Sequence, residues 1–374
     1  MKIKRMFKIL LIGFGIILGL ILLYLTIIIF FPIFSIEKQS VVRIKSPFRV
    51  PACRQNITFD VDGLALNGWL YLPQDTTDKD STRKNATKQL KSVPCIVLNS
   101  GFCGTKDMIL EKYALRFVKA GYAALTFDYR HFGDSEGKPR QLYSEPKQLE
   151  DIKAAIDYAR SRKEIDPGKI VIWGTSSSGN FGMKIASEDR KILGVIGQTP
   201  SINSEADEQR IFKRDGIVWI LKLLVHAQRD MGRSRFGLSA HTIPAVGKPK
   251  TTAVHIGPGI YEGYTQFAKY SGTFKNEVCA RIIFEQEEES LQEAAKKINC
   301  PILLLLCEND NINSADSPEE IEAILGNKLK IVKYPIGHFD IYTGEYFEKT
   351  INEQILFIKN ISKNYDTFIK NYNA

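Results

Sequence analysis

The spacing of apolar positions changes character along this chain, and each change predicts a different kind of structure. From Ile9 to Ile36 no residue is charged, and most are Leu, Ile, Phe or Gly. At about 1.5 Å per residue, a helix of that length exceeds the ~30 Å hydrocarbon core of a bilayer. A cleaved signal peptide would have an apolar region of ~7–15 residues ending in small side chains. This run is longer and ends Phe30-Phe31-Pro32-Ile33-Phe34. The pattern predicts an uncleaved transmembrane anchor at 9–36 behind a basic flank at 1–8. Lys2, Lys4, Arg5 and Lys8 precede the span and Lys38, Arg43, Lys45 and Arg49 follow it, so the flanking Lys/Arg counts tie. The denser amino-terminal cluster and the free amino group favour a cytoplasmic amino terminus and an extracytoplasmic remainder.

Beyond the span the rhythm becomes alternating. Residues 56–63 and 64–72 alternate apolar and polar positions around a turn, which predicts an opening antiparallel hairpin. The polar stretch 75–91 reads as a loop. Buried-strand runs at 94–99, 122–128, 169–173, 193–198, 302–307 and 329–332 then alternate with helical patterns, including 106–120 and 146–162. Such alternation predicts an α/β fold, a mainly parallel sheet with helices on both faces. From about 201 to 298 the strand rhythm stops. Residues 211–229 read as an apolar-rich helix, 237–261 are rich in Gly and Pro, and 277–297 read as helical and charged. An insertion there predicts a helical cap over the carboxyl ends of the strands. Residues 346–372 read as an amphipathic helix packed on the sheet. The domain thus runs from 54 to 374.

Candidate chemistry sits where strands end. Lys169-Ile-Val-Ile-Trp173-Gly174-Thr175-Ser176-Ser177-Ser178-Gly179 delivers a serine into a strand-to-helix turn whose strain lifts the hydroxyl clear of the backbone. Ser176 has Gly two residues before it and is favoured as nucleophile; Ser177 has Gly179 two after it but Thr175 before. Cys307-Glu308-Asn309-Asp310 follows a buried strand, and Asp310, beyond the strand end, is preferred to Glu308 as the acid. Tyr334-Pro-Ile-Gly337-His338-Phe339 follows the last strand and supplies the base. His131, His226, His241 and His255 lack such a context. A histidine that accepts the serine proton, oriented by a carboxylate, activates an otherwise poor nucleophile. The developing oxyanion needs backbone donors; the candidates are the N–H groups of Ser177 and of Phe102, in Ser100-Gly101-Phe102 after a strand.

The formal net charge of +9 is spread along the chain without a basic helix carrying interleaved aromatics, so nucleic acid is not an expected partner; an anionic membrane surface suits the excess better. Six scattered cysteines form no C-x-x-C pair, and most read as buried free thiols. No metal or organic cofactor has a binding motif.

The order Ser, Asp, His along the chain is that of α/β-hydrolases. The segments 100–106, 127–137 and Trp173-Gly-Thr-Ser176, with Gly263-Tyr264, Asn276-Glu277-Val278 and 337–342, resemble that superfamily over roughly 54–360. More closely, the chain resembles the esterase-like group related to dienelactone hydrolases and S15-type serine peptidases. Two departures stand out: Ser100 where the family usually has His before the oxyanion Gly, and His131 where it commonly has Gly. The resemblance implies a serine hydrolase acting on a carboxylic ester or thioester through an acyl-enzyme; the tether and the apolar cap point to a small, hydrophobic acyl substrate. Acyl transfer, peptide cleavage and a non-catalytic binding role are the alternatives, and substrate identity and oligomeric state are left open.

Overall fold

The computed structural model describes residues 2–31, 36–37, 39–44, 49–73, 92–285, 289–315 and 318–372. In chain order the elements are α1 (Lys2–Phe30), β1 (Arg54–Val61), β2 (Leu64–Tyr71), β3 (Val93–Asn99), α2 (Leu110–Lys119), β4 (Ala123–Phe127) and α3 (Glu145–Arg160). There follow β5 (Ile165–Thr175), α4 (Phe181–Glu188), β6 (Ile192–Gln198), α5 (Ser204–Arg235), β7 (Thr242–Ile243), α6 (Ile260–Ala268) and β8 (Val278–Cys279). The chain continues through α7 (Leu291–Ala295), β9 (Ile302–Cys307), α8 (Glu319–Leu325), β10 (Leu329–Tyr334) and α9 (Gly344–Tyr372).

Eight strands form one sheet in the order β1-β2-β4-β3-β5-β6-β9-β10. The hairpin β1/β2 joins β4 antiparallel, and every other neighbour pair is parallel. β4, β6 and β9 are buried at every position because helices cover both faces, which is why they read as unbroken apolar runs rather than alternating ones. Two apolar clusters flank the sheet. One holds Ile57, Leu66, Val97, Phe127, Ile172 and Leu304; the other holds Ile96, Leu98, Tyr113, Trp173, Leu305 and Phe347. This is an α/β-hydrolase architecture, with α9 packed on the second face as its amphipathic pattern requires.

Several sequence boundaries shift. The basic flank is itself helical, since α1 starts at Lys2, and the helix ends at Phe30 rather than Ile36. Helix α2 begins at Leu110 because residues 105–108 form a turn, with Met108 N–H donating to the Thr105 carbonyl. The charged segment 277–297 is mostly not α-helix. It opens with β8, pairs with β7, turns through a 3-10 stretch at Ala280–Phe284, and becomes α-helical only in α7. The loop expected at 75–91 lies outside the described residues. All six cysteines are free thiols and all but Cys53 are buried.

Among the described residues, one helix is long and apolar enough to cross a membrane: the stretch Leu10–Phe30 of α1. Its surface is exposed except at the carboxyl end, where Ile28 and Ile29 are buried against α5.

The turn after β4 is held by buried charge. Asp128 accepts from the Lys106 ammonium at 2.5 Å and from the backbone N–H groups of Lys106 and Asp134 at 2.7 and 2.9 Å. The neighbouring Arg130 donates to Asp151 through both Nε and its backbone amide. These groups stabilise the turn. Removing one partner of a fully buried pair strands the other charge, at about 3–5 kcal/mol. Lys106→Met should therefore lower stability by about that amount, read as a fall in the urea midpoint of the detergent-solubilised chain, whereas loss of the half-exposed Asp134 carboxylate should cost much less.

Candidate active site

β5 runs directly into a 3-10 turn at Ser176–Gly179, and Ser176 sits there with φ +55°. An L-residue with a side chain beyond Cβ rarely adopts that conformation, so the strain has to be held by its surroundings. Gly174 is indispensable, because a Cβ there would lie 1.9 Å from the Ser178 carbonyl oxygen. Gly179 is needed against Pro200, at 2.9 Å from a hypothetical Cβ. Ser178, which stands where Gly is usual, is accommodated by its hydroxyl. That Oγ accepts from Thr175 N–H at 3.2 Å and lies 2.9 Å from the Asn99 carbonyl, tying the turn to the end of β3. The left-handed residue is Ser176, not Ser177.

Asp310 and His338 meet across the ends of β9 and β10. His338 Nδ1 lies 2.6 Å from Asp310 Oδ2, and both side chains are buried. The other carboxylate oxygen accepts from Ile312 and Asn313 N–H at 2.7 and 2.8 Å, which fixes the carboxylate plane. Glu308, the competing acid, is exposed. Asp340 plays a different part, since its Oδ2 accepts from Gly337 N–H at 2.9 Å and closes the histidine loop.

His338, Ser176, Gly101 and Phe102 all line one mostly apolar cavity with about 600 Å³ of empty space including its mouth. Gly101 is pressed against the turn, since a Cβ on it would come within 3.0 Å of both Ser176 Cβ and the Thr175 carbonyl oxygen. The Ser100 hydroxyl donates to the Gly104 carbonyl at 2.9 Å, while Gly104 N–H donates to the Gly101 carbonyl. Ser100 therefore closes this loop on itself in place of the usual His. Tyr264 donates to the Phe102 carbonyl and so fixes the Phe102 peptide from the side of the insertion.

The family model of the X-Pro dipeptidyl-peptidases (S15 family) matches residues 62–278. The chain belongs to the S15 family. Among curated relatives, the quorum-quenching protein AidA of Acinetobacter baumannii is 35% identical over 85% of this chain and 98% of its own length. Thiohydrolase aneE of Aspergillus aculeatus is 26% identical over 80% of this chain and 91% of its own. Among solved structures, DcsB in complex with its substrate analogue superposes with a TM-score of 0.64 at 22% identity, covering 82% of this chain and 98% of that one. It shares the fold.

In this S15 member the segment between β6 and β9 contributes much of the site. Val246, His255, Ile260, Tyr264 and Phe267 complete the cavity wall. Helix α5 clamps the acid loop: Arg210 donates to the Asp310 and Ile312 carbonyls at 2.8 and 2.6 Å, and Arg214 to the Asn311 carbonyl at 2.6 Å. No sequence signal marks this clamp, because neither arginine belongs to a motif and the contacts span about a hundred residues.

His255, which no sequence context singles out, lines the same cavity. Its ring stands edge-on to Phe102 with centroids 4.9 Å apart. Burial first, then the Arg214 charge and the nearby His338, pull its pKa down to about 4. The other histidines are elsewhere. His226 and His241 face each other at 2.9 Å beside Asp230, and His131 occupies a positive-φ turn position where its family commonly has Gly.

A histidine whose pKa is depressed on folding binds its proton more readily in the unfolded chain. Its contribution is complete above the ordinary value of 6.5 and is lost as pH falls towards 4. One such group adds a slope of up to about 1.4 kcal/mol per pH unit in that window. His255→Gln should flatten the acid limb of a stability–pH curve by that single-proton share, measured by denaturant titration between those pH values.

Proposed function

We propose that this chain is a membrane-anchored serine hydrolase that cleaves a carboxylic ester or thioester through an acyl-enzyme. The observation that carries the reading is the buried 2.6 Å contact between His338 Nδ1 and Asp310, made where His338 and the strained Ser176 line one cavity. With Nδ1–H donated to the carboxylate, Nε2 remains the acceptor. Ser176 Oγ attacks the acyl carbonyl as Nε2 takes its proton, and His338 then gives that proton to the departing alkoxide or thiolate. Water, deprotonated by the same Nε2, attacks the acyl-enzyme and regenerates Ser176. The amides of Phe102 and Ser177 are assigned to the oxyanion, each such donor being worth about 3 kcal/mol.

The substrate class follows from the wall. None of the described residues lining the cavity is acidic or carries a fixed positive charge. A dipeptidyl-peptidase must hold a substrate ammonium, which calls for a carboxylate partner. An apolar acyl chain needs only desolvated apolar surface. The name of the thiohydrolase relative agrees with hydrolysis of a thioester. Helix α1 is assigned as the anchor, and the denser basic cluster before it favours an extracytoplasmic catalytic domain.

Fluorophosphonate labelling and p-nitrophenyl ester turnover test this reading. Ser176→Ala should lose labelling and at least about 10³-fold in kcat, while Ser177→Ala should still label. Asp310→Asn should cost roughly 10⁴-fold in kcat with folding retained. Labelling that survives in Ser176→Ala would sink the assignment.

A further inference from the structure

We propose that the first turns of the second half of α5, around Ile217, Val218 and Leu221, insert into the lipid leaflet from which α1 emerges, so that acyl substrate reaches the cavity from the membrane. This rests on reading α1 as a span and on the hydrolase reading of the cavity.

Gly216, at φ +82° and ψ 170°, breaks α5 into two helices, and the second begins at Ile217. That second helix is apolar on two opposite sides. Leu223 and Ala227 face the core, and Trp219 Nε1 donates to the Ala253 carbonyl at 2.9 Å. On the other side Ile217, Val218 and Leu221 are each more than half exposed, at 56%, 64% and 53%. A surface helix normally turns polar residues to water, so an apolar stripe opposite the core face calls for an apolar neighbour.

The neighbour is given by direction. At 3.6 residues per turn, positions 217, 218, 221, 225, 228, 229 and 232 fall within about 120° of one another on the helix surface. The last three of these touch the span. Tyr24 Oη donates to Gln228 Oε1 at 2.9 Å, Arg229 donates to the carbonyls of Ile28 and Phe31, and Gly232 lies against Ile29. Further along, the Phe30 and Phe236 rings pack at 5.4 Å. Residue numbers rise together in these pairs, so where the carboxyl end of α1 meets Gln228–Phe236 the two helices run in the same sense. Following α5 back from Gln228 to Ile217 therefore moves the same way as following α1 from Tyr24 towards Leu10, which is into the bilayer. The exposed stripe is the continuation of the span contact, and lipid covers it. Lys222, at the edge of the stripe, can extend its ammonium to the headgroups.

The same turns lead back to the cavity wall. Arg214, just before the bend, lies against Gly257, and Ala253 receives the Trp219 indole; the wall residues His255 and Ile260 belong to that segment. An acyl ester dissolved in the leaflet thus meets the cavity wall one helix away.

The test uses the full chain in vesicles of brominated phospholipid. Leu221→Trp should add tryptophan emission that bromine quenches, relative to the parent chain and to unbrominated vesicles. The triple variant Ile217→Gln, Val218→Gln, Leu221→Gln keeps helix propensity and removes the apolar stripe. It should lose about tenfold in kcat/KM on p-nitrophenyl dodecanoate presented in the vesicles, because membrane contact scales with buried apolar area, while p-nitrophenyl acetate in solution is turned over as by the parent. Unquenched emission from the added tryptophan overturns the proposal. So does a parent dimer that the triple variant dissolves, since a second copy then covers the stripe. If carbonate stripped the parent from the vesicles, the span reading would fail and this one with it. If the parent turned over neither ester, the hydrolase reading would fail alone, and quenching would still decide the fate of the stripe.

Discussion

A serine held at φ +55° is the constraint around which the rest of the molecule is arranged. Such a backbone is unfavourable by itself, at about 1–3 kcal/mol, and persists only where neighbours over-determine it. Here the neighbours come from three strands. Gly174 on β5 lets the Ser178 carbonyl pass, Ser178 is tied to the end of β3, and Gly179 admits Pro200 after β6. The parallel order β3-β5-β6 is therefore a condition for the turn. The buried apolar strands are what make that order rigid enough to hold it.

A second constraint works from outside the sheet. Asp310 and His338 meet at 2.6 Å, and the carbonyls of the loop carrying Asp310 accept from the arginines of α5. The insertion also holds the Phe102 peptide through Tyr264 and walls the cavity with His255 and Ile260. The Asp310 loop, the Gly101–Phe102 loop and the cavity wall are thus coupled through one inserted segment, and a change in its packing would be felt at all three.

What could be read in the sequence follows from which interactions are local. β9 was legible residue for residue, because six consecutive apolar positions between Pro301 and a polar turn leave little choice. The Gly174-x-Ser176 turn and the positions of Asp310 after β9 and His338 after β10 were legible because turn chemistry and strand ends are local signals. The segment 277–297 misled, since its charges suggest helix while a two-residue ribbon with β7 and a 3-10 turn decide its path. His255, Arg210 and Arg214 were invisible for the same reason: their roles exist only through partners far along the chain. The departures at Ser100 and His131 bear on one loop and one turn, and each has a local account. At the first, the Ser100 hydroxyl closes its own loop; at the second, His131 itself holds φ +72°, a conformation that favours Gly.

The carboxyl end of α1 does not simply stop. Its last carbonyls, which a helix leaves without internal donors, are taken by Arg229 and Arg233 of α5. Under the proposed reading of α1 as a membrane anchor, a helix fastened in this way is a bracket rather than a leash. A flexible linker would let the catalytic domain sweep a volume whose radius grows with linker length, meeting substrates on any nearby surface. A bracket fixes height and tilt, so the cavity mouth stays at one distance from the plane of the anchor. In that reading the cavity meets only what diffuses laterally past it.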